Sequence, residues 1–173
     1  NTGETTDTFA FTLTGLPSGW SATAPTQSLA AGTTGTATVQ LTVPGNTATG
    51  NYTLQATGTS TTDGTVTTSS PITVRVLKRS TTLVYGGSTT ADYSDPASLS
   101  AVLTDTATGQ PIGGKQIHFA LGTQSTSPDP TTDVTGTASG SITITQASGA
   151  VSVDSSFAGD GTYLASNDSD GFT

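Results

Sequence analysis

The chain has 173 residues, of which 31% are hydrophobic, and it contains no Cys, no Met and a single His. Side chains that activate a nucleophile or bind a transition metal are therefore nearly absent, and the sequence predicts that the protein is not an enzyme. The net charge of −8 disfavours nucleic acid and anionic lipid as partners, because an acidic surface repels both.

The charge is unevenly distributed along the chain. Residues 1–79 carry three acidic and three basic side chains, whereas residues 80–173 carry nine Asp against the single base Lys115. The acidic excess thus belongs entirely to the second half. No apolar stretch approaches the roughly 18 residues that a membrane-spanning helix needs, so membrane insertion is not expected.

Alternating apolar and polar residues predict strands in the first half near 7–14, 35–43, 51–61 and 65–77, with a short extended piece near 21–24. Asp63-Gly64 separates the last two runs. This dipeptide predicts a hairpin with a two-residue type I′ turn, because both central positions of that turn need a positive φ.

The second half repeats the pattern, with strands predicted near 80–86, 97–104, 115–122, 138–145, 150–158 and 170–173. Gly, Pro and Asp clusters separate these short strands, which is typical of an antiparallel sandwich. No Gly/Ser-rich spacer lies near residues 77–80. The sequence therefore predicts two all-β domains, residues 1–78 and 79–173, joined almost directly.

The period of two also assigns side chains to the two cores. The side chains expected to point inward are Phe9, Phe11, Leu13, Val39, Leu41, Tyr52, Leu54, Leu99, Leu103, Ile117, Phe119, Leu121, Ile142, Ile144, Val153 and Phe157.

Both halves carry motifs that resemble known families. The first contains Asn1-Thr2-Gly3, Gly15-Leu16-Pro17-Ser18-Gly19-Trp20, Leu29-Ala30-Ala31-Gly32, Val43-Pro44 and Gly50-Asn51-Tyr52. It resembles the NPCBM-associated type of bacterial immunoglobulin-like domain found beside glycosidases and surface proteins. The second contains Tyr93-Ser94-Asp95-Pro96, Gly113-Gly114-Lys115 and Phe157-Ala158-Gly159-Asp160-Gly161-Thr162-Tyr163, and is similar to bacterial immunoglobulin-like repeats. The resemblance implies two tandem immunoglobulin-like antiparallel β-sandwiches.

Modules of this kind serve as stalks, adhesin segments, enzyme accessories and filament subunits, so the resemblance implies an extracellular or cell-surface location. In the first family the Asn-Thr-Gly element follows a strand pair, whereas here it opens the chain. We therefore expect the first domain to lack its first strands. Strand donation from another copy, or neighbouring domains of a longer chain, would complete it and give a structural stalk, filament or adhesin.

The alternative is a carbohydrate- or partner-binding accessory module of a larger secreted enzyme or adhesin. A row of exposed aromatic side chains would favour this alternative. The candidates for such a row are Trp20, Tyr52, Tyr85, Tyr93 and Tyr163.

His118 is the only histidine and alternates with Ile117 and Phe119, so its side chain points outward. The order of strands in such sandwiches places Asp154 on the neighbouring strand. Without a Ser or Cys nucleophile in a strained turn, this pair is interpreted as a solvated cross-strand pair rather than a catalytic dyad.

Acidic residues near the end of the chain suggest a calcium site. Residues 166–171 resemble part of a calcium loop, although a Ser replaces the first Asp. Asp168, Asp170 and Asp160 are therefore weak metal candidates. The other interpretation is that these side chains bond their own backbone at turns. No cofactor is expected to be required.

The basic residues cluster at the junction of the two predicted domains. Arg75, Lys78 and Arg79 are three of the four basic residues. Asp105 and Asp160 lie in loops expected at the adjoining end of the second domain. The pairing of these charges would fasten the domains at a fixed angle, whereas exposed pairs in a solvated linker contribute only about 0 to 1 kcal/mol each.

Overall fold

The computed structural model describes residues 1–173, and all its regular elements are β-strands. The chain divides into two compact units, residues 1–77 and 78–173, beside the predicted boundary. Every ladder between strands is antiparallel. The predicted fold class is confirmed. The structure contains no helix that could span a membrane.

The first unit contains six strands in two sheets. They are β1 (Asp7–Thr14), β2 (Ser21–Thr23), β3 (Thr26–Leu29), β4 (Gln40–Thr42), β5 (Gly50–Ser60) and β6 (Thr67–Val76). One sheet has the order β3-β1-β5-β6, and the other pairs β2 with β4. The pairing of β5 with β6 confirms the predicted hairpin.

The predicted strand over 35–43 is wrong for most of its length, because only Gln40–Thr42 forms a strand. Residues 34–39 alternate Thr with Gly, Ala and Val, and side chains this small bury too little surface to anchor a ladder. The Gly35 backbone lies against the side chains of Gln27 and Leu29, on the strand β3 that the pattern did not predict.

The turn at Asp63-Gly64 also differs from the prediction. Strand β5 ends at Ser60 and β6 begins at Thr67, so six residues connect them instead of two. The Asp63 carboxylate accepts the backbone amide of Thr65 at 3.0 Å and its hydroxyl at 2.7 Å, and Gly64 has no positive φ. The side chain of Asp63 thus stabilises a turn of its own in place of the type I′ turn.

The core of the first unit is thin. Its buried hydrophobic side chains are Trp20 and Leu54, and the ring of Trp20 packs 4.9 Å from that of Tyr52. The other residues expected to be inward in this unit, Phe9, Phe11, Leu13, Val39, Leu41 and Tyr52, are only half-buried. Strands β2 and β4 span three residues each, which is too little to cover the larger sheet.

The second unit contains seven strands. They are β7 (Thr81–Tyr85), β8 (Pro96–Asp105), β9 (His118–Leu121), β10 (Gln124–Ser125), β11 (Thr137–Thr143), β12 (Val151–Phe157) and β13 (Ser166–Phe172). The two sheets have the orders β10-β9-β12-β13 and β11-β8-β7. Strand β10 was not predicted, and β13 begins four residues earlier than the pattern indicated.

The core of the second unit agrees with the predicted parity. All nine residues expected to be inward there are buried, among them Phe119, Leu121 and Val153 at 0% exposure. Phe119 packs edge-on to the ring of Tyr85, with centroids 6.3 Å apart. The second unit is thus a filled sandwich, in contrast to the first.

Side chains close the two open sides of this sandwich. On one side, Asp168 of β13 accepts the backbone amide of Tyr85 at 2.8 Å. On the other, the Gln124 side chain donates to the Thr143 carbonyl at 2.8 Å and accepts the Thr145 amide at 3.0 Å. Each side chain therefore provides the partner that an edge strand otherwise lacks.

Candidate functional site

The structure places Arg79 and Asp105 in direct contact. The Arg79 Nε lies 2.7 Å from the Asp105 Oδ2, and both residues belong to the second unit. Arg75 and Lys78 are exposed. The pair therefore fixes the first residues of the second unit to the end of β8. Fastening of the two units by the basic cluster stays a prediction.

Asp105 is 2% exposed and is held as a carboxylate. Burial raises its pKa, but hydrogen bonds from the Thr108 amide and hydroxyl, together with the Arg79 guanidinium, outweigh burial and lower the pKa below its usual value. The amide of Ala107 adds a further bond at 3.0 Å. The carboxylate thus organises the turn that follows β8, a structural task.

Asp160 is paired with Lys115. The Lys115 Nζ lies 2.6 Å from the Asp160 Oδ2 and 5.4 Å from the centre of the Tyr163 ring. The other carboxylate oxygen accepts the amides of Thr162 and Tyr163 at 2.8 Å. The Lys115 hydrogen bond is the main cause that lowers the pKa of Asp160 to about 2. This network orders the Gly-Asp-Gly loop.

The structure does not bring the three calcium candidates together. Residues 166–172 form strand β13, so the expected loop is wrong: an extended strand does not wrap around an ion. Asp168 is bonded to the Tyr85 amide, and Asp160 to Lys115. No group of three or more acidic or His side chains is suitably placed for a metal ion.

His118 has a partner that the sequence did not indicate. Its Nδ1 lies 2.9 Å from the Asp129 Oδ1, and in the ladder His118 stands opposite Ser156 while Asp154 stands opposite Ala120. Asp154 instead accepts the hydroxyls of Ser169 and Ser152. The predicted His118–Asp154 pair is wrong in its partner, because the 122–130 connection folds back over β9.

Four of the five aromatic candidates have partners inside the protein. Trp20 packs on Tyr52, whose hydroxyl donates to the Ala48 carbonyl. The Tyr85 hydroxyl donates to the Ser88 carbonyl, and Tyr163 faces Lys115. Tyr93 differs, because its side chain is 68% exposed and takes part in no ring contact. An exposed aromatic row is therefore not formed.

Tyr93 forms one wall of a cleft of about 290 Å³ in the second unit. Ala91, Ile144 and Phe172 contribute apolar side chains to its lining, and Gln146 and Ser148 contribute polar side chains. The sequence pattern missed the contribution of Gln146. The polar Asp-Tyr-Ser-Asp turn indicates that the Tyr93 ring is exposed. No local sequence pattern shows that this ring lies near Ile144 and Gln146, more than fifty positions away.

The first unit carries a different feature, an uncovered apolar groove of about 250 Å³. It is lined by Phe9, Phe11, Leu29 and Val66, with Gly58 beneath them. An added Cβ at Gly58 would meet the Phe11 ring at 3.2 Å, so the Phe11 side chain packs against this glycine. Val66 is 53% exposed. The groove is the uncovered part of the β3-β1-β5-β6 sheet, defined here as the apolar face.

Residues 1–61 match the family model described as the NPCBM-associated, NEW3 domain of alpha-galactosidase. No curated protein matches the chain. Among solved structures, the chain is similar to a protein of Corynebacterium diphtheriae described as membrane anchored, with 15% identity and a TM-score of 0.40. That similarity covers 96% of this chain and 43% of that one.

The match of residues 1–61 falls entirely within the first unit and includes its motifs from Asn1-Thr2-Gly3 to Gly50-Asn51-Tyr52. It confirms the resemblance that those motifs indicated. The first unit is therefore similar to the NEW3 domain, which by its description is one part of a larger enzyme.

Proposed function

We propose that this chain is a non-catalytic, carbohydrate-binding accessory segment of a larger extracellular or cell-surface protein. The observation that carries this proposal is the match of residues 1–61 to a domain of alpha-galactosidase, an enzyme named for a carbohydrate substrate. The proposed role is to hold a partner domain near its polysaccharide, and no chemistry is assigned to the segment itself.

The environment of the two carboxylates that pair with basic side chains, Asp105 and Asp160, supports a non-catalytic role for them. A glycosidase needs two carboxyl groups that face each other across a sugar, one of them with a raised pKa. Here Asp105 bonds Arg79 and Asp160 bonds Lys115, and both pKa values are lowered. These two carboxylates therefore bind basic side chains and backbone amides of the protein, and neither is suited to protonate a leaving group.

A retention assay on insoluble polysaccharides tests the proposal. The full chain is incubated with cellulose, chitin, xylan and galactan, and an unrelated acidic protein of similar charge serves as the control. We expect retention on at least one polysaccharide that persists at about 1 M NaCl, where exposed charges are screened within about 3 Å. Retention on none of them, or its loss at high salt, would reject carbohydrate binding.

The apolar face of the first unit favours a second candidate function, a stalk segment that associates with copies of itself. The half-buried Phe9 and Phe11 and the exposed Val66 would be covered by an extended strand of another copy. Burial of each large apolar side chain contributes about 1.5 to 3 kcal/mol. Copies joined in this way would form a chain that does not close on itself.

Sedimentation velocity separates the two candidate functions. If the chain self-associates, its apparent molecular mass rises with protein concentration. Val66→Glu on the apolar face should reduce this increase, whereas Val134→Glu should leave it unchanged. Val134 is the matched control because it is 90% exposed and lies in the second unit. A monomer at every concentration would reject the stalk function based on strand exchange.

A further inference from the structure

We propose that the cleft beside Tyr93 is a binding site for a short neutral saccharide. In this site the Tyr93 ring stacks on the apolar face of a pyranose ring, and Gln146 and Ser148 hydrogen-bond its hydroxyl groups. The inference rests on the proposed carbohydrate-binding function and assigns it to a particular place. It concerns the second unit alone, which lies outside the match to the NEW3 domain.

The Tyr93 ring is available for a ligand. An aromatic side chain exposed to water loses hydrophobic stabilisation that it would regain against an apolar surface. Tyr93 is 68% exposed, and its hydroxyl has no hydrogen bond within the protein, unlike those of Tyr52 and Tyr85. Both the ring face and the hydroxyl are thus free for a ligand that is apolar on one side and polar at its rim, as a sugar ring is.

A turn attached to the core of the second unit holds Tyr93. The Asp95 amide donates to the Asp92 carbonyl at 3.1 Å, which puts Tyr93 at the first corner of a four-residue turn. Ser94 at the second corner has φ 70°, a conformation that favours glycine. Bonds between Ser94 and Ile144 and between Ile144 and Asp95, at 2.9 and 3.0 Å, attach the turn to the second unit's core.

Gln146 contributes a polar group of fixed orientation to the cleft. The Gln146 Oε1 accepts the Thr123 amide at 3.0 Å and its hydroxyl at 3.3 Å, so the side-chain amide is held in one orientation. Its Nε2 has no acceptor within the protein, and Gln146 and Ser148 both line the cleft. The cleft therefore combines apolar side chains with an oriented side-chain amide and a serine, the usual composition of a small-ligand site.

Charge and size narrow the class of ligand. Asp92 and Asp95 flank Tyr93 and are exposed, and the second half of the chain carries the whole net charge of −8. Uronic acids and sulfated sugars would be repelled, whereas neutral hydroxyls and amides would not. A volume of about 290 Å³ is near the lower end of the range for ligand pockets, roughly 300 to 1,000 Å³, which fits a short saccharide.

An NMR titration tests the site. The ¹⁵N-labelled full chain is titrated with the β-1,4-linked oligomers of glucose, N-acetylglucosamine and galactose. With at least one of them, we expect shifts at the Tyr93 backbone amide and the Gln146 side-chain amide. Tyr93→Ala should raise the Kd at least tenfold, whereas Tyr93→Phe, which keeps the stacking face, should raise it less than threefold. Leu164→Ala, another exposed apolar side chain, is the control and should leave the Kd unchanged.

The outcomes distinguish this site from the proposed function. Chemical-shift changes at other residues but not at Tyr93 or Gln146 would overturn the proposed site. An unchanged Kd in Tyr93→Ala would do the same. Either result would leave carbohydrate binding by the chain in place. The site is also rejected if none of the three oligomers, each added up to its own solubility limit, changes the chemical shift of the Tyr93 amide. Retention of the chain on an insoluble polysaccharide would then still support the proposed function through another surface.

Discussion

The Asp168 carboxylate accepts the backbone amide of Tyr85 at 2.8 Å, although β13 and β7 belong to different sheets. Strand β7 is the edge of its sheet, so this amide has no partner in a ladder. At the other end of β7, the Thr81 hydroxyl donates to the Ser166 hydroxyl at 2.8 Å. Side chains of β13 thus replace a missing strand, and an edge that is otherwise open to association with other chains is closed.

Removal of this carboxylate should destabilise the second unit. In Asp168→Ala the Tyr85 amide loses its acceptor, and an unsatisfied buried donor costs about 1 to 3 kcal/mol. Asp168→Asn keeps one acceptor oxygen and should lower the free energy of unfolding by less. Amide hydrogen exchange at Tyr85 measures the effect. Asp170→Ala, on the same strand but exposed, is the control, and an equal loss in that variant would contradict the prediction.

Gly136 should tolerate no side chain. It has φ +77°, and an added Cβ would lie 2.5 Å from the Leu103 carbonyl oxygen and 3.0 Å from Pro111. Gly136→Ala therefore combines a left-handed backbone, which costs about 1 to 2 kcal/mol, with a clash against backbone. Gly109 has φ +70° but open space around it. Gly109→Ala should thus lower the denaturation midpoint much less, and equal losses would argue against the clash.

The core of the second unit could be predicted from the sequence because its signal is local. Ile117, Phe119 and Leu121 are large and alternate with polar residues, so parity fixes which face each one occupies. In the first unit the same alternation failed over residues 35–39 of the strand predicted at 35–43. The apolar residues of this segment are small. An alternating pattern whose side chains bury little surface does not determine a strand.

The partners of the polar side chains could not be predicted in this way. His118 contacts Asp129, and Asp168 accepts the Tyr85 backbone amide. Both contacts depend on the path of the loops between strands, which no local sequence pattern encodes. Residues 166–171 have the composition of a loop, yet they form a strand because a full ladder with β12 satisfies their backbone. The Tyr93 cleft likewise depends on residues distant in sequence.

Stability should depend on pH through Asp160. Its pKa is about 2 in the folded chain against an ordinary value of 3.8. The contribution of this lowered pKa is therefore present above about pH 4 and is lost as the pH falls towards 2. In Lys115→Gln the pKa should rise towards its ordinary value, with a smaller loss of unfolding free energy on acidification. A ¹³C titration of the Asp160 carboxyl measures this. Lys78→Gln is the control, and a pKa that stays near 2 without Lys115 would contradict the assignment.

The two units should unfold separately, the first one at lower denaturant. The first buries Trp20 and Leu54 as its hydrophobic core, whereas the second buries a cluster of 16 hydrophobic residues. Trp20 is the only tryptophan, so its fluorescence in urea reports the first unit, and NMR signals of Phe119 report the second. Leu54→Ala should cost about 2 to 5 kcal/mol in the Trp20 transition alone, and Leu121→Ala should affect only the Phe119 transition. Coincident transitions that move together in both variants would show one cooperative unit instead.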